Sequence, residues 1–384
     1  MRTTAAVVTA TLATALLAAC SDDTDLPAPA PSASSQPSTP TTTPPASTPT
    51  TSAPRPTATG PVKLTVAGTV ATGINVPWGL AFLPDRSALV AERDTAKVKR
   101  IAGSSLTEVG TIDGVDPSAE GGLLGLAVDP QFSSRPYVYV YFSTGEDNRI
   151  ARYTYRDNRL SDPQVILDGI PMAAVHNGGR MAFGRDGFLY VGTGDGRERP
   201  NSQDPDSLGG KILRITGDGR PAPGNPRGDS PVYSLGHRNV QGLAFDEQGR
   251  LYAAEFGQNE WDELNAITAG ANYGWPAAEG AEGLDGMVDP IAQWPTDDAS
   301  PSGIAYAQGT IFMAGLRGER LWAIPVADGR RTGEPQAFFT GRFGRLRTVV
   351  TAPDGSLWLS TSNTDGRGDV RDGDDRILRV TISR

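Results

Sequence analysis

The chain has few of the groups that most often carry chemistry. Its 384 residues include one cysteine and two histidines. No disulfide can therefore form within the chain, and imidazole, the side chain whose ordinary pKa of about 6.5 lies nearest neutrality, is available at only two positions. Basic residues are outnumbered, with 35 Lys and Arg against 44 Asp and Glu and a formal net charge of −9. That balance argues against nucleic acid, which needs a basic face to neutralise phosphates, and favours a small-molecule partner. Long apolar runs are scarce as well. The N-terminal run Ala5 to Ala19 is too short to be a comfortable membrane span, and no segment shows convincing helical periodicity.

That N-terminal run follows Arg2 and ends in Leu17-Ala18-Ala19-Cys20. It reads as an export signal over residues 1–20. The cysteine after a small pair resembles a bacterial lipobox, so the expected mature protein begins at a lipidated Cys20 and is held outside the cytoplasm on the bacterial cell membrane. Residues 21–61 are mostly Pro, Thr, Ser and Ala, with little to bury against the entropy of ordering, and are expected to form a disordered, semi-rigid tether. Residues 62–384 are the expected folded part.

What is abundant is glycine, 46 residues, and a repeated phrase. Pro77-Trp78-Gly79-Leu80-Ala81-Phe82, Gly122-Leu123-Leu124-Gly125-Leu126-Ala127, Gly178-Gly179-Arg180-Met181-Ala182-Phe183, Val240-Gln241-Gly242-Leu243-Ala244-Phe245 and Pro301-Ser302-Gly303-Ile304-Ala305-Tyr306 share small residues leading into a short apolar strand. Arg345 to Val350 is a divergent sixth copy. Most copies continue through an Asp-Gly type turn into a second strand, as at Asp186-Gly187 before Phe188 and Asp354-Gly355 before Leu357, the signature of a β-hairpin. Six such units predict an all-β, six-bladed propeller of four-stranded antiparallel blades. A strand near Val62 to Val66 is expected to complete the last blade; a pair of β-sandwiches is the competing architecture.

In a propeller, function gathers in the loops around the central channel. Both histidines, His176 and His237, lie just before an expected innermost strand. The same loops offer Glu120, Arg238, Asn239, Arg317, Arg345 and Arg347, with Gly257 and Gln258 on another. Several arginines converging on an acidic chain point to a polyanionic ligand, because guanidinium groups pair with carboxylates through charge-assisted hydrogen bonds.

Over residues 75 to 380 the chain resembles the soluble quinoprotein glucose dehydrogenases and the related aldose sugar dehydrogenases. The resemblance is carried by Leu235-Gly236-His237-Arg238-Asn239-Val240-Gln241-Gly242-Leu243-Ala244-Phe245 and Gly270-Ala271-Asn272-Tyr273-Gly274-Trp275-Pro276, with Gly210 to Arg214 and Arg345-Leu346-Arg347. It implies a flat tricarboxylate cofactor, pyrroloquinoline quinone (PQQ), held with Ca²⁺ over the mouth of the propeller. It implies an aldose substrate oxidised at its anomeric C1 hydroxyl to a lactone, with the electrons passing on to an external acceptor. His176 would be the general base, and Arg238 and Asn239 would face the developing oxyanion on the cofactor. Arg345, Arg347 and Arg317 would pair with its carboxylates, and Glu120 stands at a cofactor-side position. Ca²⁺ would take the carbonyls of Gly257 and Gln258, with a second ion near Glu263 and the Tyr273 carbonyl. His237 reads as structural.

Three positions depart from the family pattern. Arg317 replaces a lysine and Glu120 a glutamine, the latter placing a carboxylate near the cofactor's own charges. Val175 replaces an acid directly before the base, so the imidazole is expected to be held less tightly and the range of aldoses to be broad. Two other functions fit a propeller: a non-catalytic lipoprotein binding sugar, peptidoglycan or protein on the same face, and a Ca²⁺-dependent lactonase. The lactonase needs side-chain carboxylates at the channel mouth, where these motifs are rich in Arg and His and poor in Asp.

Overall fold

A computed structural model of the protein describes residues 60–384. Cys20 and nearly all of the expected tether lie outside the described residues. The six phrases become six innermost strands, Pro77–Phe82, Leu123–Val128, Met181–Phe183, Val240–Phe245, Pro301–Ala307 and Leu346–Thr351. Each heads an antiparallel sheet of four strands, and the fifth sheet carries an additional two-residue ladder at Arg330–Arg331. Each innermost strand touches the next in sequence, and the last touches the first, which closes the ring. The seam is sealed by Lys63–Thr72, which pairs with the C-terminal strand Arg376–Ser383 as the outermost strand of the sixth blade. This strand is longer than the Val62 to Val66 segment suggests. Among the described residues the only helical segment is a 3₁₀ turn at Arg199–Ser202.

The repeated glycine inside the phrase is explained by this closure. A Cβ on Gly125 would lie 2.0 Å from the carbonyl oxygen of Gly179 in the next blade, and one on Gly242 would lie 2.4 Å from that of Ser302. Neighbouring inner strands approach too closely for a side chain. The apolar residues are buried between blades: Leu89 and Val98 of the first pack with Val138 and Val140 of the second, and Tyr141 and Ile150 of the second with Val191 and Leu213 of the third. Burial is thus distributed around the ring.

Strand pairing also decides where chemistry can gather. The start of each first strand lies beside the end of its second strand: Pro77 pairs with Glu92, Val240 with Glu255 and Leu346 with Thr361. Two sets of loops therefore share one rim, those entering each blade and those joining its second and third strands.

Candidate active site

On this rim opens a cavity of about 480 Å³. Its walls include Glu120, His176, Arg238, Asn239, Gly257, Gln258, Arg317, Arg345 and Arg347, all of them expected there from sequence. Glu263 and Tyr273 lie instead around a smaller space beside it, with Glu255 and Glu279.

His176 sits in the left-handed region at φ 66, a conformation that costs free energy for a residue with a Cβ and must be held by its surroundings. Gly194 allows it, since a Cβ there would lie 1.9 Å from the His176 carbonyl oxygen. The ring is fixed by Asp195, whose Oδ1 is 2.7 Å from His176 Nδ1. Trp275 Nε1 donates to Asp195 Oδ2 at 2.9 Å and the Arg197 N–H to Oδ1 at 2.7 Å. Burial alone would raise the Asp195 carboxyl, but these hydrogen bonds, led by that from His176, hold it below the usual carboxylate range. An ionised Asp195 fixes the proton on Nδ1, which leaves Nε2 as the basic nitrogen. The expectation of a loosely held imidazole is therefore incorrect. The acid missing at Val175 is supplied by Asp195, from the loop after the second strand of the third blade.

The rest of the cavity is cationic. Six guanidinium groups, those of Arg93, Arg238, Arg317, Arg345, Arg347 and Arg367, face three carboxylates, Glu120, Asp262 and Asp365. Arg345 Nε and Arg347 Nη2 share Asp365 Oδ2, each at 3.0 Å. Glu120, which raised the prospect of repelling an anion, is matched by Arg367 at 2.6 Å and has its other oxygen 3.4 Å from the His176 N–H. Arg317 is at the exposed lip, paired with Asp297 at 2.7 Å, and contributes less than the buried arginines because solvent screens it.

Among the described residues Arg238 has no carboxylate partner. Its guanidinium donates to Gln258 Oε1 at 2.8 Å and to the Phe256 carbonyl at 3.1 Å, and burial lowers its pKa. Glu255 fixes the turn that carries it by accepting from the Arg238 N–H and from His237 Nδ1, both at 2.7 Å. His237 is fully buried, stacks on Tyr273 with ring centroids 4.7 Å apart, and has its Nε2 on Ser234; its role is structural. Asn239 Oδ1 accepts the Gly178 N–H at 2.9 Å, tying this turn to the segment of the base.

The N–H groups of Gly257 and Gln258 are taken by Asp262 at 3.0 Å and Glu279 at 2.7 Å. Their carbonyls accept nothing from the described residues. Asp262, beside them, is pushed up to about 7 by burial. In the smaller space, burial and the charge of Glu255 drive Glu263 well above its ordinary value. Among the described residues no three His, Cys, Asp or Glu side chains converge on one metal position, so a cation here would draw on main-chain oxygens. A lactonase-type carboxylate cage at the mouth has no counterpart in these residues.

Sequence reasoning missed Arg93, Asp195, Asp262, Asp365 and Arg367. All but Asp262 follow the end of a second strand, so the residues just after each repeat's second strand were the signal that could have found them.

Comparison with known proteins settles the kinship. Residues 74–378 match the Glucose / Sorbosone dehydrogenase family. The chain belongs to that family. The match takes in all six inner strands and every residue of the cavity. The structure of the PQQ-bound form of aldose sugar dehydrogenase from Streptomyces coelicolor is 56% identical, with a TM-score of 0.83 over 84% of this chain and 99% of that one. Aldose sugar dehydrogenase of Escherichia coli is 28% identical over 76% of this chain and 88% of its own. Quinoprotein glucose dehydrogenase B of Acinetobacter calcoaceticus is 32% identical over 62% of this chain and 59% of its own. As a member of that family, the chain has the six-bladed ring expected from its repeats.

Proposed function

We propose that the protein is a quinoprotein aldose dehydrogenase, using PQQ and Ca²⁺ to oxidise the C1 hydroxyl of an aldose to a lactone. The observation that carries this reading is the charge of the cavity: six guanidinium groups against three carboxylates, in a protein whose formal net charge is −9. Two further carboxylates outside the wall, Asp94 and Asp297, pair with Arg93 and Arg317, so the cations left for an anionic ligand are Arg238 and the Arg345 and Arg347 pair that shares Asp365. For Ca²⁺, the unengaged carbonyls of Gly257 and Gln258 beside Asp262 form a hard oxygen set of the right kind. Glu263 and the Tyr273 carbonyl would serve a second, structural ion, whose charge would return Glu263 to its carboxylate form.

Arg345 and Arg347, oriented by Asp365, and Arg93 beside them would hold the cofactor's carboxylates, with Arg317 contributing at the lip. When bound, the quinone supplies the hydride acceptor that no side chain can provide. His176 Nε2 takes the proton of the sugar hydroxyl, the general-base step that a positioned imidazole performs. Asp195 keeps the proton on Nδ1 and stabilises the imidazolium that results. Arg238, buried and without a carboxylate, is placed to donate to an oxyanion, where a preorganised donor is most effective. Asn239 supports it. Electrons would leave to an external acceptor, and the Cys20 motif would place the reaction outside the cytoplasm at the membrane.

The test is to strip the purified protein of metal, add PQQ and Ca²⁺, and follow dye reduction by aldoses. Activity should require both additions. Equal activity with NAD alone, or tight quinone binding without turnover on any aldose, would overturn the assignment, the second outcome favouring a non-catalytic binding propeller.

A further inference from the structure

Six arginines are buried among the described residues: Arg93, Arg180, Arg214, Arg238, Arg345 and Arg347. Four of them are paired, Arg93 with Asp94, Arg214 with Asp186, and Arg345 and Arg347 with Asp365. Arg238 and Arg180 have no carboxylate. A buried charge without a partner costs several kcal/mol in general, so each requires a reason. Arg238 faces the cavity. Arg180 does not line it, and nothing in the chemistry above uses it.

Arg180 precedes the inner strand of the third blade and reaches across the centre of the ring. Its Nε donates to the Gln241 carbonyl of the fourth blade at 2.7 Å, Nη1 to the Trp78 carbonyl of the first at 3.3 Å and Nη2 to Thr348 Oγ1 of the sixth at 3.2 Å. The guanidinium also lies 4.1 Å from the centroid of the Trp78 ring. All these partners are neutral. Two of them place it directly beneath the cavity, since Gln241 is itself a lining residue and Thr348 adjoins Arg347. Burial, and then the charge of Arg347, push its pKa down to about 9, so it remains a cation at neutral pH.

A propeller centre could be plugged by an apolar side chain at lower cost. We propose that Arg180 is an electrostatic floor for the cofactor site, a fixed and unneutralised cation that strengthens binding of the tricarboxylate quinone and favours its reduction. Hydride transfer breaks the sugar C–H bond and delivers two electrons and one proton to the acceptor, while the hydroxyl proton goes to His176. The acceptor thereby gains one unit of negative charge. A cation below it, in low dielectric and already oriented, stabilises that charge without reorganisation. Arg180 acts here through its field, as a tuning residue, and the inference rests on the reading of the cavity as a PQQ site.

Three variants test it: Arg180→Gln, which keeps donors and removes the charge; Arg180→Lys, which keeps the charge; and Thr348→Asp, which leaves Arg180 in place and sets a carboxylate beside it. Each is purified without cofactor, checked for its fold by circular dichroism, titrated with PQQ in Ca²⁺, and its bound cofactor's midpoint potential measured spectroelectrochemically. Arg180→Gln and Thr348→Asp should each weaken PQQ binding about tenfold or more, the scale of one buried charge at an effective dielectric of about 20, and lower the midpoint potential. Arg180→Lys should retain most of both. Wild-type affinity and potential in the folded Gln and Asp variants would show that Arg180 is only a structural plug, and so would a Lys variant as impaired as Gln. If Arg180→Gln does not fold, Thr348→Asp decides. Failure of the wild-type protein to bind PQQ would overturn the proposed function instead.

Discussion

Replacing Asp195 with asparagine changes no volume and removes one charge, and its consequence can be worked out from three hydrogen bonds. Asp195 receives only donors: His176 Nδ1 at 2.7 Å and the Arg197 N–H at 2.7 Å on Oδ1, and Trp275 Nε1 at 2.9 Å on Oδ2. Asparagine offers one acceptor oxygen and one NH₂. With the oxygen toward His176, the NH₂ opposes the Trp275 N–H, a buried donor facing a donor, at a cost of about 1–3 kcal/mol. The imidazolium formed in the reaction also loses its counter-charge. With the amide reversed, the NH₂ faces His176 Nδ1, the ring proton moves to Nε2, and the nitrogen needed as base is no longer basic. Both orientations lower kcat, by roughly 10²–10⁴-fold, the usual contribution of a positioned general base and about 3–5 kcal/mol of barrier. The assay is steady-state dye reduction by protein reconstituted with PQQ and Ca²⁺, beside a PQQ titration that should match wild type. A kcat within about fivefold of wild type would refute the reasoning.

Other outcomes follow from the same geometry. His176→Ala should lower turnover by roughly 10²–10⁴-fold with quinone binding nearly intact, whereas His237→Ala should lower the melting temperature, because it removes one buried hydrogen bond each from Glu255 and Ser234 and empties a ring-sized space in the core; exchanged phenotypes would reverse the two roles. Asp365→Ala leaves Arg345 and Arg347 uncompensated and should destabilise the cofactor-free protein by about 3–5 kcal/mol, a loss that added PQQ partly restores; a melting temperature unchanged in its absence would refute this. Burial would raise the Asp365 carboxyl, but Arg347 and Arg345 hold it below its ordinary value. Its contribution to stability is therefore complete above the unfolded pKa of about 4 and lost as pH falls through the lower folded value. Thermal melts of wild type should fall on acidification below that point, and Asp365→Asn should show a shallower fall; parallel curves would refute the linkage.

The ring was legible because its repeat is local. Gly79, Leu80 and Ala81 recur with the same spacing in Gly242, Leu243 and Ala244, and the structure supplies the reason: the inner strands of neighbouring blades lie in van der Waals contact and permit no side chain at the glycine. The closing strand was less visible. Lys63–Thr72 joins Arg376–Ser383 from the opposite end of the chain, and no local pattern marks which strand it pairs with.

The lining of the site was legible to the extent that its residues precede an inner strand, as Glu120, His176, Arg238 and Arg345 do, or stand at its start, as Arg347 does. What escaped was their compensation. Glu120 looked like a charge that would repel an anionic cofactor because Arg367, its partner at 2.6 Å, is 247 positions away on another blade. Val175 looked like a missing acid because Asp195 lies one hairpin further on, at the end of a second strand and not at the start of a first. A side chain's type and loop can be read from the phrase around it, but its effective charge depends on which loops the closed ring brings together. The two buried guanidinium groups that closure leaves without a carboxylate, Arg238 in the wall and Arg180 beneath the floor, are for that reason the most direct indication of where a negative ligand belongs.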